Sequence, residues 1–144
     1  MRHIVTTKWL DNLSKNEIIA TLKSVESVGE LIFSKCNEWR IRNPKTVKVF
    51  LLKRGGRYVG WSICDISGHF YGYSNNRVDI YVNVRPQYRR KGYGSKLYLL
   101  AYNFAKKNWP NRKVTVQGWD KQSTKFYKHQ RKENKVKLRI ENNS

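Results

Sequence analysis

Acidic residues are scarce in this 144-residue chain. Ten Asp and Glu stand against 30 Lys and Arg, a formal net charge of +20. Between Asp79 and Asp120 there is no acid at all, and that stretch carries Arg85, Arg89, Arg90, Lys91, Lys96, Lys106, Lys107, Arg112 and Lys113. From Lys121 onward eight more cations follow. A field of this sign attracts polyanions: nucleic acid, phosphorylated cofactors or acidic protein surfaces. It carries no information about fold.

Long apolar runs are also missing. None reaches the roughly 18 residues a membrane-spanning helix needs. The opening Met1-Arg2-His3-Ile4-Val5 has neither the apolar stretch nor the small-residue cleavage site of a signal peptide. The expectation is a soluble, cytoplasmic protein with no membrane partner. The two cysteines, Cys36 and Cys64, form no CxxC pair and have no histidine cluster near them. Buried, reduced thiols are expected, and no metal site. There is no internal repeat and no low-complexity segment.

Hydrophobic residues make up 39% of the chain and aromatics 13%, enough for a core, which excludes a wholly disordered polycation. The length fits one domain over residues 1–144. Ser14 and Glu17 have the spacing of a capping box opening a helix whose apolar face is Ile18, Ile19, Leu22 and Val25. A second helix, VGELIFSKCNEWRIR, ends at Asn43-Pro44. VKVFLLKRGGRYVGWSICDIS reads as a hairpin turning at Gly55-Gly56. RVDIYVNV is a strand with Val78, Ile80, Val82 and Val84 on one face, and Arg77, Asp79, Tyr81 and Asn83 on the other. A helix from Ser95 buries Leu97, Leu100, Ala101, Phe104 and Ala105. RKVTVQGW is a strand, DKQSTKFYKHQRK a short helix with Asp120 as its N-cap, and KVKLRIEN a strand with a cationic outer face. This order implies a mixed α/β domain with one central sheet.

VRPQYRRKGYGS, residues 84–95, joins a strand to the apolar helix. A helix start leaves backbone amides without partners and carries partial positive charge, and glycines let a ligand approach the backbone. Such a turn suits phosphate. It lacks the spacing of a P-loop and of the dinucleotide GxGxxG fingerprint. Taken alone, it fits an ordinary tight turn with solvated cations equally well.

The wider stretch resembles the acetyl-CoA-binding motif of the GNAT superfamily of N-acetyltransferases. Val84, Pro86, Arg89, Gly92 and Gly94 match that pattern, and Ser95 and the apolar helix after it also fit. GGRYVGWSI resembles the family's second-to-third-strand hairpin, and VTVQGWDKQSTKFYKH its fifth strand and next helix. The likeness spans residues 46–130. It implies a mostly antiparallel central sheet with splayed strands 4 and 5, flanked by about four helices. It implies acetyl-CoA as co-substrate, its pyrophosphate held by the turn through Arg89, Arg90, Lys91, Gly92, Tyr93, Gly94 and Ser95. The pantetheine arm would bond the backbone of Val82 and Val84. Tyr127 matches the tyrosine that protonates the coenzyme A thiolate, and Asp79 is the candidate general base on the fourth strand. A packing aromatic and an ion-paired strand residue are the plain alternatives for these two. His3, His69 and His129 have no motif support, and His69 alone merits a test.

Two departures bear on the acceptor. Arg131-Lys132 stands where the family commonly has Gly-Phe, and only one clear strand follows where it usually has two. The acceptor side is then either open or completed by a second copy in a homodimer. Three functions remain open: an N-acetyltransferase acting on a primary amine associated with tRNA, DNA or a basic protein; a non-catalytic GNAT-fold module binding nucleic acid or protein; and a small-molecule amine acetyltransferase. Tyr88, Tyr93, Trp109 and Trp119 could stack on bases but suit core packing at least as well.

Overall fold

The computed structural model describes residues 3–9, 12–14, 16–17, 46–66, 75–118, 121–134 and 136–142. They build a six-stranded sheet in chain order: β1 (His3–Trp9), β2 (Val47–Arg54), β3 (Arg57–Asp65), β4 (Arg77–Val84), β5 (Lys113–Gly118) and β6 (Arg139–Asn142). β1 to β4 pair antiparallel in succession, while β4–β5 and β5–β6 are parallel. Parallel neighbours need a crossover. Helix α1 (Tyr93–Asn108) and helix α2 (Lys121–Glu133) supply the two. The sheet is the mixed, mostly antiparallel one expected. The second predicted helix lies outside the described residues, as do Cys36, His69, Trp119 and Asp120.

Only the opening of the first predicted helix is described, and its capping box is complete. The Ser14 amide donates to Glu17 Oε1 at 3.0 Å, and the Glu17 amide donates to Ser14 Oγ at 3.2 Å. β1 was not expected. HIVTTKW has adjacent apolar residues rather than a clean alternation, and Ile4 is exposed on this sheet-edge strand, so no amphipathic period marks it. The β2–β3 hairpin turns where expected, with Gly55 and Gly56 both at positive φ (58° and 78°), as a tight hairpin turn requires.

α1 and α2 lie on one face of the sheet, as right-handed crossovers in the same direction require. Leu97, Ala101 and Ala105 of α1 pack with Phe50, Cys64, Val78, Ile80, Val84, Val114 and Val116. Two buried side chains of β3 fix the helix on the sheet: Ser62 Oγ donates to the Leu97 carbonyl at 2.9 Å and the Cys64 thiol to the Ala101 carbonyl at 3.0 Å. Cys64 is a free, buried thiol, and burial pushes its pKa up. The other face is not open either. Trp61, Ile63, Asp65, Asp79 and Tyr81 are all buried, so β4 is a central strand covered on both sides rather than the half-polar strand its alternation suggests.

Candidate active site

β4 and β5 begin together and then part. Their register runs from Arg77↔Lys113 to Ile80↔Val116 and stops there, so that among the described residues Tyr81 to Val84 have only β3 as a paired strand. The Arg85 amide donates to the Val59 carbonyl of β3 at 2.9 Å. Backbone groups alternate along an antiparallel strand, so Val82 and Val84 turn their N–H and C=O away from β3, toward the side β5 has left. These are the two residues expected to present backbone there. The Val84 carbonyl is already taken: Arg89 Nε donates to it at 2.9 Å. Val82 therefore offers both its backbone groups to the gap, and Arg89 braces the strand end instead of reaching outward.

β3 and β4 approach closely at the level of this gap because Gly60 has no side chain. A Cβ there would lie 2.5 Å from the Asn83 carbonyl oxygen and 3.2 Å from Leu97 Cδ1.

The turn from β4 into α1 makes one 3-10 turn, Pro86–Tyr88, and then two left-handed steps. Arg90 has φ 63° and Gly92 φ 83°. Gly92 is the N-cap of α1, no side chain caps the helix, and no acid lies in its first turn. A Cβ on Gly92 would meet nothing within 4 Å among the described residues, so they leave space at the helix start. Arg89, Arg90 and Lys91 are exposed around it and Arg85 half-buried. A phosphate group suits this uncapped, acid-free turn on three counts: amides, dipole and cations.

Gly94 does a different job. A Cβ there would sit 3.3 Å from the Phe126 ring, so this glycine admits α2 against the start of α1 rather than a ligand. Tyr93 is buried, and Arg54 donates from a terminal guanidinium nitrogen to its hydroxyl at 3.0 Å. Ser95 Oγ accepts from Gln130 Nε2 at 2.7 Å, and Asn134 Nδ2 donates to Gln130 Oε1 at 2.7 Å. Gln130 is fully buried. The sequence reading missed it, although its position three residues after Tyr127 places it on the inward face of α2 beside the aromatics.

Tyr127 is buried on α2, in the same cluster as Val84 and Val116. Its ring stands edge-on to Tyr98, centroids 6.0 Å apart. Tyr98 is fully buried, and burial, with Tyr102, Tyr127 and Cys64 nearby, raises its pKa. Asp79 is on the opposite face, because it alternates with Val78 and Ile80. It is buried, lies across from Asp65 on one side and Thr115 on the other, and pairs with Arg77 Nε at 2.9 Å. The sheet thus separates Tyr127 from Asp79, and the gap between β4 and β5 opens just beyond Asp79. Of the histidines, His129 is exposed on α2. Among the described residues no group of His, Cys, Asp or Glu could hold a metal ion, and no helix is long and apolar enough to cross a membrane.

The model of the acetyltransferase (GNAT) family matches residues 16–130. The chain belongs to the GNAT acetyltransferase family. Solved structures agree on the fold. A GNAT-family protein from Desulfovibrio desulfuricans is 12% identical and superposes with TM-score 0.68 over 88% of this chain and 83% of its own. The aminoglycoside N-acetyltransferase AAC(6')-Iy, in complex with CoA, gives 13%, 0.61, 90% and 85%. Salmonella typhimurium yncA, with acetyl-CoA, gives 14%, 0.63, 87% and 76%. No protein of curated function matches the sequence. This GNAT protein is an acetyltransferase with acetyl-CoA as co-substrate.

Proposed function

We propose that this GNAT protein transfers acetyl from acetyl-CoA to a primary amine carried by, or bound to, a nucleic acid, such as an aminoacyl-tRNA or a base amine. The observation that carries the transfer chemistry is the released end of β4. Val82 turns unpaired strand backbone into the β4–β5 gap, and the uncapped helix start at Gly92 follows it ten residues later. One long ligand with a phosphorylated end and an amide-bearing arm matches both.

In this reading the amides of Arg90 to Ser95 hold the pyrophosphate, and Arg85, Arg90 and Lys91 screen it. The thioester carbonyl lies in the gap, where the Val82 amide stabilises its developing oxyanion. The amine nitrogen attacks the carbonyl carbon, the C–S bond breaks, and the thiolate leaves with a proton from Tyr127, whose phenol is a weaker acid than the thiol. The proton released by the amine goes to Asp79, directly or through water. Deprotonation of the amine and protonation of the thiolate then take place on opposite faces of the sheet, in keeping with the separation of Asp79 from Tyr127. The acceptor class rests on charge: the stretch from Ile80 to Trp119 has no acid, and the cations of residues 121–139 lie beyond those the cofactor needs. Donor and acceptor of this kind meet in the cytoplasm.

The test is acetyl transfer to charged tRNA, duplex DNA and a polyamine panel, beside calorimetric titration of acetyl-CoA into wild type and Gly92→Glu. The wild type binds and transfers, and Gly92→Glu loses the cofactor. Equal affinity of the two proteins would refute the placement of the site. Activity confined to small amines and insensitive to salt would refute the acceptor class.

A further inference from the structure

α2 buries Tyr127 and Gln130, with Phe126 half-buried, and turns its opposite side to solvent. That side carries Lys121, Lys125, Lys128 and Lys132, all exposed. Their spacing of four, three and four residues puts them on one line along the helix. The line is about 16 Å long at a rise of about 1.5 Å per residue. Among the described residues no carboxylate pairs with any of the four lysines. Ordinary solvent-facing helices interleave Glu with Lys, because like charges three or four apart oppose the helix. Here every neighbour along the line is another lysine, so the row works against its own helix. A bound polyanion would supply the missing counter-charge.

We infer that the lysine row of α2 is a docking surface for the phosphate backbone of a nucleic acid, separate from the acetyl-CoA turn. The inference rests on the proposed nucleic-acid acceptor and assigns it a surface. Two features select phosphate over an acidic protein. Protein interfaces centre on buried apolar or aromatic anchors, and the row has none; among the described residues the exposed large hydrophobic is Ile4, on β1 at the far edge of the sheet. The row also runs straight for about 16 Å, and a nucleic-acid backbone presents a regular line of charges that can meet all four lysines at once. The same lack of apolar side chains argues against a membrane surface. α2 also spans the distance between the two sites: its inner side closes on the first turn of α1 through Phe126 and Gln130, and its outer side holds the row.

The test uses the full chain, a fluorescently labelled RNA hairpin and a DNA duplex, with anisotropy read across a salt series. The wild type binds, with log affinity falling linearly in log salt. The variant Lys121→Gln/Lys125→Gln/Lys128→Gln/Lys132→Gln loses affinity at least tenfold, and its salt slope shrinks by about 3 to 4. Lys106→Gln/Lys107→Gln, on α1, leaves the slope nearly unchanged. Unchanged binding by the quadruple variant overturns the inference, as does equal binding of the wild type to poly-glutamate or to anionic vesicles. Acetyl transfer to charged tRNA, to duplex DNA and to a small amine is measured on the same samples. Transfer without nucleic-acid binding sinks the surface and spares the enzyme. Row-dependent binding without transfer sinks the enzyme and spares the surface.

Discussion

Gln130 of α2 donates from Nε2 to Ser95 Oγ, in the first turn of α1, over 2.7 Å. The amide is fully buried, and its oxygen accepts from Asn134. A side chain with no chemistry of its own thereby ties the helix that bears Tyr127 to the uncapped helix start at Gly92.

Gln130→Leu keeps the volume and deletes both bonds. It leaves Ser95 and Asn134 without their partner, which costs about 1–3 kcal/mol. The loosened helix start should also weaken acetyl-CoA binding. Urea denaturation and calorimetry on the variant check both effects. Unchanged stability with unchanged affinity would show that the bond holds nothing in place.

The two glycines of the turn should fail for different reasons. Gly92→Ala meets no atom but is held at φ 83°, a left-handed strain of roughly 1–2 kcal/mol for an L-residue, and Gly92→Asn should suffer less. Gly94→Ala has helical geometry but pushes a methyl to 3.3 Å from the Phe126 ring, an overpacking cost of about 1 kcal/mol. Phe126→Leu should therefore restore part of the loss in Gly94→Ala and none of that in Gly92→Ala. A double-mutant cycle by thermal melts reads this coupling.

Much of this site could be read in the sequence because it rests on local backbone rules. A strand alternation, a proline, a glycine needing positive φ and an apolar helix are all contiguous, so residues 84–95 announce a strand-to-helix turn at a glycine. What escaped reading depends on distant partners. Gln130 shares the inward face of α2 with Tyr127, but its partner Ser95 shows only once the two helices meet. Gly94 looks like a ligand glycine until Phe126 is seen above it. Arg89 looks like a phosphate contact until its guanidinium is found on the Val84 carbonyl. The burial of Asp79 escapes as well, because the pattern of β4 shows nothing of what lies on its second face.

Tyr127→Phe isolates the proposed proton donor. The ring that packs edge-on to Tyr98 is kept and only the hydroxyl is lost. The expected result is a kcat lower by roughly 100-fold or more with an unchanged affinity for acetyl-CoA. Asp79→Asn should instead abolish the acid-side limb of the kcat/KM–pH profile while its circular dichroism stays native. If that limb persists, the amine's proton goes elsewhere and Asp79 serves the ion pair with Arg77 alone.

The capping box predicts an acid-side stability change that has nothing to do with catalysis. Burial alone would raise the Glu17 carboxyl pKa, but hydrogen bonds from Lys8 and Ser14 outweigh it, and the net shift is downward. Lys8 Nζ lies 2.7 Å from Glu17 Oε1, and the Ser14 amide donates to the same oxygen. A folded pKa below the unfolded one means the native state holds this proton less tightly. The stabilisation is therefore complete above the unfolded value of about 4.3 and fades as pH falls through the folded value. Glu17→Gln should be less stable than wild type by about 1 kcal/mol at neutral pH, and the two curves should converge in acid. Lys8→Met separates the ion pair from the cap, since it leaves both Ser14–Glu17 bonds in place. Denaturation midpoints between pH 7 and pH 3 measure all three proteins, and parallel curves for wild type and Glu17→Gln would show that Glu17 titrates alike in the folded and unfolded chain.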